Sequence, residues 1–465
     1  MISDLERQVD ELVNIKNIHV MGMGGAGMSS LAKILSGMGY SVTGCDLEHG
    51  HYLDELDALN IKCLTGHSPE HIDLCEPDLL IYTSAVREDN LELNAARDKG
   101  VKAVKRGEAL SWLFNKAKGI GVAGAHGKTT TSSMISLILS RAGLSPTLYV
   151  GAEMRDMGTN AVLGQGGLFL SELDESDGSF ELFKPFVSVI TNIDWDHADH
   201  FKTRNDYIDA FTRFIDNRKQ GGALVICAED DGAQIALNKI NNEIGAVIKY
   251  GFGSGWDWGA VNINHKLNGG CSCDVYKNGV KTGHLELKVS GEHNILNALA
   301  ALAAVNFLGV ELEKSLEILS DFHGAERRLQ FKGVKDGVLV IDDYAHHHTE
   351  INASLSAMRN IYPGKRILLA FQPHRYTRTA IFADQLAKSL SLADKIFLLP
   401  VFNASEDFIE SGTSDLLAGK INNCVLCSNF DEALKLVKSE VKSGDILLTM
   451  GAGTIYLLGE KFLAS

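Results

Sequence analysis

Residues 118–130 read Lys-Gly-Ile-Gly-Val-Ala-Gly-Ala-His-Gly-Lys-Thr-Thr. The run Gly119 to Ala123 reads as a strand, and Ser132 to Ala142 beyond the loop reads as a helix. A strand, a glycine turn and a helix in that order make a phosphate cradle. Glycines let the backbone approach the ligand, loop N–H groups face its oxygens, and the helix N-terminus adds partial positive charge. Within Gly124-Ala125-His126-Gly127-Lys128-Thr129-Thr130, Lys128 is expected to reach the β- and γ-phosphates of ATP, and Thr129 to hold Mg²⁺. The spacing departs from Gly-x-x-x-x-Gly-Lys-Ser/Thr, since Val122 stands five residues before Gly127.

Upstream lies a second glycine loop, Gly22-x-Gly24-x-x-Gly27, between the strand Ile18–Met21 and a helix expected from Ser29 to Met38. Gly39 ends that helix, Tyr40 to Gly44 reads as a strand, and Asp46 follows it; Leu79–Tyr82 is a further strand. This is the dinucleotide-binding fingerprint in context. Alone it points to NAD or FAD, yet a diphosphate is the firmer inference, and a purely structural glycine turn is the alternative. An NAD-dependent oxidoreductase would leave Gly127-Lys128-Thr129 idle. A non-catalytic nucleotide-binding regulator would use both loops without turnover.

Downstream, strands are expected at Leu168–Leu170, Val187–Thr191 and Ala223–Cys227, hairpins over Gly251 to Gly283, and an alanine-rich helix from Asn294 to Leu308. A third unit carries strands at Val338–Ile341, Arg366–Phe371, Lys395–Leu399 and Asp445–Met450. Strands alternating with helices imply parallel sheets covered on both faces. The expected fold is α/β, with three domains in series: 1–115, 116–320 and 321–465.

Composition narrows the partners. With 44 basic and 59 acidic residues the net charge is -15, which disfavours nucleic acid and anionic membrane surfaces. A local pocket can still take an anion. The start, MISDLERQVDELVNIKN, lacks the apolar segment of a secretion signal, and the apolar stretch Ile295 to Val305 is too short to span a bilayer. No membrane insertion and a cytoplasmic location are therefore expected; the composition favours no particular oligomer. Cys271/Cys273 has the wrong spacing for a zinc ribbon and lies about 150 residues from the Cys-x-x-Cys pair Cys424/Cys427, so both pairs read as thiols in a reducing cytosol.

The ordered motifs carry a resemblance. Residues 22–28 (Gly-Met-Gly-Gly-Ala-Gly-Met) and 124–130 are joined by 172–180 (Glu-Leu-Asp-Glu-Ser-Asp-Gly-Ser-Phe), 191–197 (Thr-Asn-Ile-Asp-Trp-Asp-His) and 291–297 (Gly-Glu-His-Asn-Ile-Leu-Asn). Arg327-Arg328, residues 342–347 (Asp-Asp-Tyr-Ala-His-His) and 371–378 (Phe-Gln-Pro-His-Arg-Tyr-Thr-Arg) complete the set. Across essentially its whole length the chain resembles the Mur ligase family, in its alanine-adding branch. The resemblance implies an N-terminal Rossmann-like domain for a UDP substrate, a central P-loop ATPase-like domain with a parallel or mixed sheet, and a C-terminal Rossmann-like domain for an amino acid. The implied reaction is ATP-dependent amide formation in peptidoglycan synthesis. The lactyl carboxylate of UDP-N-acetylmuramic acid becomes an acyl phosphate, L-alanine attacks, and ADP and phosphate leave.

The resemblance also implies residue roles. Gly22, Gly24, Gly25, Ala26, Gly27, Met28, Asp46, His67 and Ser84 would meet the UDP substrate. Gly124 to Thr130, Asn294, Asn297, Arg328 and Asp343 would meet ATP, the last two after domain closure. Lys128, Glu172 and His197 would be catalytic, with Thr129, Glu172 and His197 binding Mg²⁺. From residue chemistry alone Glu172 is the natural Mg²⁺ ligand and His197 reads as a hydrogen-bonded loop histidine; Asn294 alternatively suits a helix N-cap. Tyr344, His374, Arg375 and Arg378 would bind L-alanine, Tyr344 limiting the pocket to a methyl group; arginines on an exposed helix face are the alternative. The roles of Asp174, Glu175 and Asp177 stay open. His348 stands where the family usually has proline, and Phe402-Asn403-Ala404-Ser405-Glu406 departs from a usual tyrosine-proline-alanine start. Asp209 to Phe214 lacks the lysine that several Mur ligases carbamylate, which fits the alanine-adding branch. A ligase that recycles a whole tripeptide is the rival within the family; its first loop usually carries cysteine and threonine where this chain has Gly25 and Ala26.

Overall fold

Short runs of buried apolar residues, punctuated by glycine, build three sheets. The structure is a computed structural model that describes residues 14–198, 200–240, 245–266, 269–404 and 406–465. Most of the N-terminal stretch read above for a secretion signal lies outside the described residues.

The first sheet contains β1 (Asn17–Met21), β2 (Ser41–Asp46), β3 (Lys62–Thr65), β4 (Leu79–Tyr82) and β5 (Lys102–Lys105), in the order β3-β2-β1-β4-β5. All four pairings are parallel. The strand order reverses at β1, so a crevice opens beyond the ends of β1 and β4, where such sheets bind ligands. The first glycine loop leaves β1 at that point.

The central sheet has ten strands: β6 (Lys118–Ala123), β7 (Thr147–Met154), β8 (Thr159–Val162), β9 (Leu168–Glu172), β10 (Val187–Ile190), β11 (Gly222–Cys227), β12 (Gly245–Phe252), β13 (Trp258–His265), β14 (Cys271–Lys277) and β15 (Val280–Leu287). Their order is β15-β14-β13-β12-β11-β10-β6-β9-β7-β8. The sheet is mixed, with antiparallel pairs at both margins. β6 lies between parallel β9 and β10, so the phosphate loop, Glu172 and the 191–197 segment emerge side by side.

The third sheet holds β16 (Gln330–Lys335), β17 (Val338–Asp343), β18 (Ile367–Phe371), β19 (Lys395–Leu398), β20 (Cys424–Leu426) and β21 (Ile446–Met450). Its order is β16-β17-β21-β18-β19-β20, parallel except at β16. The α/β expectation holds throughout.

Two helices start earlier than their apolar patterns suggested. The first spans Ala26–Gly37, directly from its glycine N-cap. The second spans Lys128–Arg141, because Gly127, at φ 82°, turns the chain straight into helix. Its polar stretch Thr129 to Ser133 is buried rather than part of a loop, and this hid the start. The alanine-rich helix, Glu292–Phe307, is buried on every side from Ala298 to Val305. Its small side chains allow close packing against Lys128–Arg141, which seats the phosphate loop. The helix Ala26–Gly37 packs on β7 and β8, joining the first sheet to the second. Among the described residues no helix is long and apolar enough to cross a membrane.

Candidate active site

The 124–130 loop is held from the next strand. His126 N donates to Asn192 Oδ1 at 3.0 Å; Asn192 Nδ2 and Thr191 Oγ1 donate to His126 O at 2.9 and 2.6 Å. A Cβ on Gly124 would stand 2.1 Å from Thr191 Oγ1, and one on Gly127 2.5 Å from Asn297 Oδ1. Both glycines also have positive φ, so both are sterically required.

Lys128 Nζ lies 2.9 Å from Glu175 Oε2 and donates to Gly124 O at 2.5 Å. Burial alone would lower its pKa; Glu175, backed by Glu172 and Asp174, outweighs burial and raises it. Thr129 Oγ1 donates to Glu172 Oε1 at 2.9 Å, and Gly151 N to Glu172 Oε2 at 2.8 Å. His197, at φ 53°, has its Nε2 3.5 Å from Glu175 Oε1. Burial depresses its pKa, but Asp196 and Glu175 raise it overall. Asp196 accepts two bonds from Arg378, Nε at 3.0 Å and Nη2 at 2.9 Å. Burial disfavours the Asp196 carboxylate, yet Arg378 holds it well below the usual range. Lys128, Glu175, His197, Asp196 and Arg378 thus form one line of charge from the phosphate loop to the C-terminal domain.

Two adjoining cavities flank this line. One, of about 440 Å³, is lined by Gly127, Thr130, Asn294, Asn297, Arg328 and Asp343, with His126, Asp194 and Glu350. The other, of about 860 Å³, is lined by Lys128, Thr129, Glu172, His197, Ala26, Gly27, Arg106 and Tyr344 among others. Asn294 is not the helix N-cap, a place taken by Gly291; its Nδ2 donates to Ser290 O at 2.8 Å. Asp343 accepts from Leu329 N and Ala345 N at 2.8 and 2.7 Å, and burial pushes its pKa up to about 6. His126 donates to Asp194 at 3.0 Å and lies 3.5 Å from Glu350; burial opposes its charge, but these carboxylates raise its pKa to about 9.

The expected UDP set is spread more widely. Only Ala26 and Gly27 of that set line the large cavity. Asp46 sits at the end of β2, its Oδ2 accepting from Gly24 N at 2.8 Å. Gly22 and Gly24 have no room for a Cβ, which would meet Thr83 and Asp46. The Met28 side chain is in the core. Asn90 donates to His67 Nδ1 at 3.0 Å, and His67 Nε2 is a buried atom with no partner among the described residues. Ser84 is exposed beyond β4.

In the expected amino-acid set, Arg378 is only 5% exposed, which removes the reading of an open helix face. Its Nη1 donates to His374 Nδ1 at 3.1 Å. Burial, with His346 and Arg378, takes the His374 pKa down to about 2, so this ring is neutral. His374 stacks on Phe402 at 10° and 5.7 Å. Arg375, at φ 69°, lies 3.8 Å from Glu406. The 402–406 departure therefore borders this set directly, Ser405 lying outside the described residues. The Arg327 and Arg328 guanidinium groups lie 5.0 and 5.4 Å from the centre of the Tyr344 ring. His348 takes the first position of the helix His348–Ile361, where proline's missing N–H costs nothing and histidine is equally accommodated.

Sequence reasoning missed Arg106, Tyr149 and Gly151. Arg106 Nη2 donates to Asp174 Oδ2 at 2.9 Å and Nη1 to Tyr149 OH at 3.0 Å. A Cβ on Gly27 would come within 2.7 Å of both Arg106 and Tyr149, and one on Gly151 within 2.8 Å of Glu172. Each is a lone residue outside any motif, so only the folded chain exposes its place. The open acidic roles now separate: Asp174 pairs with Arg106, Glu175 with Lys128, and Asp177 Oδ1 accepts from Ser179 N at 3.0 Å.

Residues 17–118 match the model of the Mur ligase family catalytic domain, 122–305 the Mur ligase middle domain, and 327–453 the Mur ligase glutamate ligase domain. A protein named UDP-N-acetylmuramate–L-alanine ligase from Caldanaerobacter subterraneus subsp. tengcongensis is 39% identical, covering 97% of this chain and 98% of its own. The crystal structure of a UDP-N-acetylmuramate-alanine ligase from Thermotoga maritima superposes with a TM-score of 0.81 at 29% identity, covering 97% of this chain and 99% of its own. A murein peptide ligase from Psychrobacter arcticus has a TM-score of 0.76 at 24% identity, over 96% and 98% of the two chains, which shows a shared fold.

Proposed function

The chain belongs to the Mur ligase family, and from that premise we propose that its cleft joins L-alanine to the lactyl carboxylate of UDP-N-acetylmuramic acid with ATP. It is an ATP-dependent ligase of peptidoglycan synthesis. The observation that carries this reading is 39–40% identity over 97% of the chain to proteins named UDP-N-acetylmuramate–L-alanine ligase, coupled with a phosphate loop that opens into two cavities, the larger bordered by residues of all three proposed domains. The proposed location is the cytoplasm, where both nucleotide substrates would be met. The proposed division is a UDP-substrate domain over 1–115, an ATP domain over 116–320 and an amino-acid domain over 321–465.

A carboxylate resists amine attack because oxide would have to leave; phosphorylation supplies a good leaving group. Positioning and charge neutralisation are the catalytic tasks. Lys128 exchanges its bond to Gly124 O for the β- and γ-phosphates, while its ion pair with Glu175 keeps it oriented. Asn294, Asn297, Arg328 and Asp343 surround the rest of ATP. Arg106 faces the cleft beside Gly27 and offsets the charge of the incoming nucleotide sugar. Arg378, Arg375 and His374 receive the alanine carboxylate, and neutral His374 adds no competing charge. Closure of the third domain over the cleft excludes water from the acyl phosphate.

Thr129 Oγ1 and the Glu172 carboxylate, already 2.9 Å apart, are hard oxygen donors that fit Mg²⁺; His197 on the same cavity wall is the nitrogen donor of the set. Bound there, Mg²⁺ would neutralise charge on the transferred phosphoryl group. Phosphate release with UDP-N-acetylmuramate, ATP and either L-alanine or the tripeptide tests the assignment. Release with L-alanine is expected; release with the tripeptide alone would transfer the chain to the recycling activity.

A further inference from the structure

The first sheet buries a polar cluster that the ligase chemistry does not use. His19 lies on β1, Cys45 on β2, His71 in the helix Glu70–Cys75 and Glu92 in the helix Leu91–Asp98. His19, Cys45 and Glu92 are 0% exposed. Their inward atoms converge: His19 Nε2 lies 2.8 Å from Glu92 Oε1, His71 Nδ1 3.2 Å from Glu92 Oε2, and Cys45 Sγ 3.4 Å from both oxygens. One donor atom from each of the four falls within 4.8 Å of the other three.

We propose that His19, Cys45, His71 and Glu92 form a binding site for a zinc-class divalent cation, separate from the Mg²⁺ of the reaction. The donor set is the first reason. Two imidazole nitrogens, one sulfur and one carboxylate oxygen suit zinc and disfavour Mg²⁺ or Ca²⁺, which take oxygen. Spacing is the second. With metal bonds of about 2.0–2.3 Å, tetrahedral ligands stand roughly 3.3–3.7 Å apart; the contacts to Glu92, at 2.8–3.4 Å, need only a small outward movement, and every other pair lies within 4.8 Å. The third is the support around the ligands. His19 Nδ1 is 2.8 Å from Thr43 Oγ1, which orients the ring with Nε2 inward, as outer partners of metal-bound histidines do. The fourth is cost: buried carboxylate and imidazole groups are expensive in a core that apolar side chains could fill. Without an ion the four groups satisfy one another by hydrogen bonds, so the domain folds either way. Ser68 N also donates to Glu92 Oε2 at 2.9 Å, and an ion here would therefore brace the loop that carries His67.

Co²⁺ titration of the full chain under reducing conditions tests this, because Co²⁺ reports its ligands by colour. A thiolate-to-cobalt charge-transfer band with tetrahedral d–d bands is expected at stoichiometric metal, erased by Zn²⁺ and indifferent to excess Mg²⁺. The catalytic cavities have no cysteine among their described lining residues, so cobalt bound there gives no such band. Cys45→Ala should abolish it and Cys273→Ala, a buried thiol of the central sheet, should keep it. His71→Gln, at the least buried corner, should weaken Co²⁺ binding roughly tenfold or more with the circular dichroism unchanged. Absence of the thiolate band in the wild type, its survival in Cys45→Ala, or unaltered affinity in His71→Gln would overturn the proposal.

Discussion

The loop at 124–130 presents side chains to the cleft, whereas the loop at 22–28 presents backbone. In the former, Lys128 and Thr129 donate to the carboxylates of Glu175 and Glu172. In the latter, glycines clear space and Asp46 fastens Gly24 from behind. Both follow a parallel strand and start a helix, and both have positive-φ glycines. The proposed function uses the same scaffold for reaction in one place and for docking in the other. The difference lies in what the next strand supplies: Glu172 ends β9 inside the cavity, while Asp46 ends β2 occupied with the loop itself.

That contrast predicts graded effects. Lys128→Ala should lower kcat by about 10³-fold or more while circular dichroism stays native, since charge stabilisation of phosphoryl transfer is lost; near-normal turnover would break the contrast at its strong end. Gly27→Val should act on docking instead. Its side chain collides with Arg106 and Tyr149, so KM for UDP-N-acetylmuramate should rise roughly tenfold or more with KM for ATP little changed. Equal rises in both would show that the two loops are not separable.

A pH test sharpens the comparison, because only the 124–130 loop carries a histidine, His126, that is paired with carboxylates. The folded pKa of His126 is raised from 6.5 to about 9. Its contribution to stability is therefore complete below pH 6.5 and lost as pH rises through about 9. The gap in unfolding temperature between wild type and His126→Asn should be widest near pH 6 and close above pH 9; a gap constant with pH would contradict the pairing. The smallest effect belongs to Asp46→Ala. One hydrogen bond to Gly24 is lost, worth about 1 kcal/mol, so KM for the nucleotide sugar should rise a few-fold and kcat should hold.

The same contrast explains what was legible in the sequence. Strand-loop-helix order and glycine spacing are local, so both loops and the α/β architecture could be read from residues 17–142. Helix starts could not, because Ala26 and Lys128 begin their helices by backbone geometry at glycine rather than by apolar periodicity. Motif residues such as Asn297, Arg328 and Asp343 were legible as a set, yet their meeting in one cavity needs the third sheet folded over the second. Arg106, Tyr149 and Gly151 gave no local signal; each acquires its role from a neighbour more than 20 residues away. The reading of Asn294 as a cap failed because Gly291 starts the helix three residues earlier.

The central claim is that the muramyl carboxylate, and not the amine or water, takes the γ-phosphoryl group in this cleft. Turnover with UDP-N-acetylmuramate carrying ¹⁸O in both lactyl carboxylate oxygens tests it directly by mass spectrometry of the released phosphate. One ¹⁸O in each phosphate is the predicted result, since the acyl C–O bond breaks with its oxygen on phosphorus. Phosphate free of label alongside normal amide formation would contradict the account.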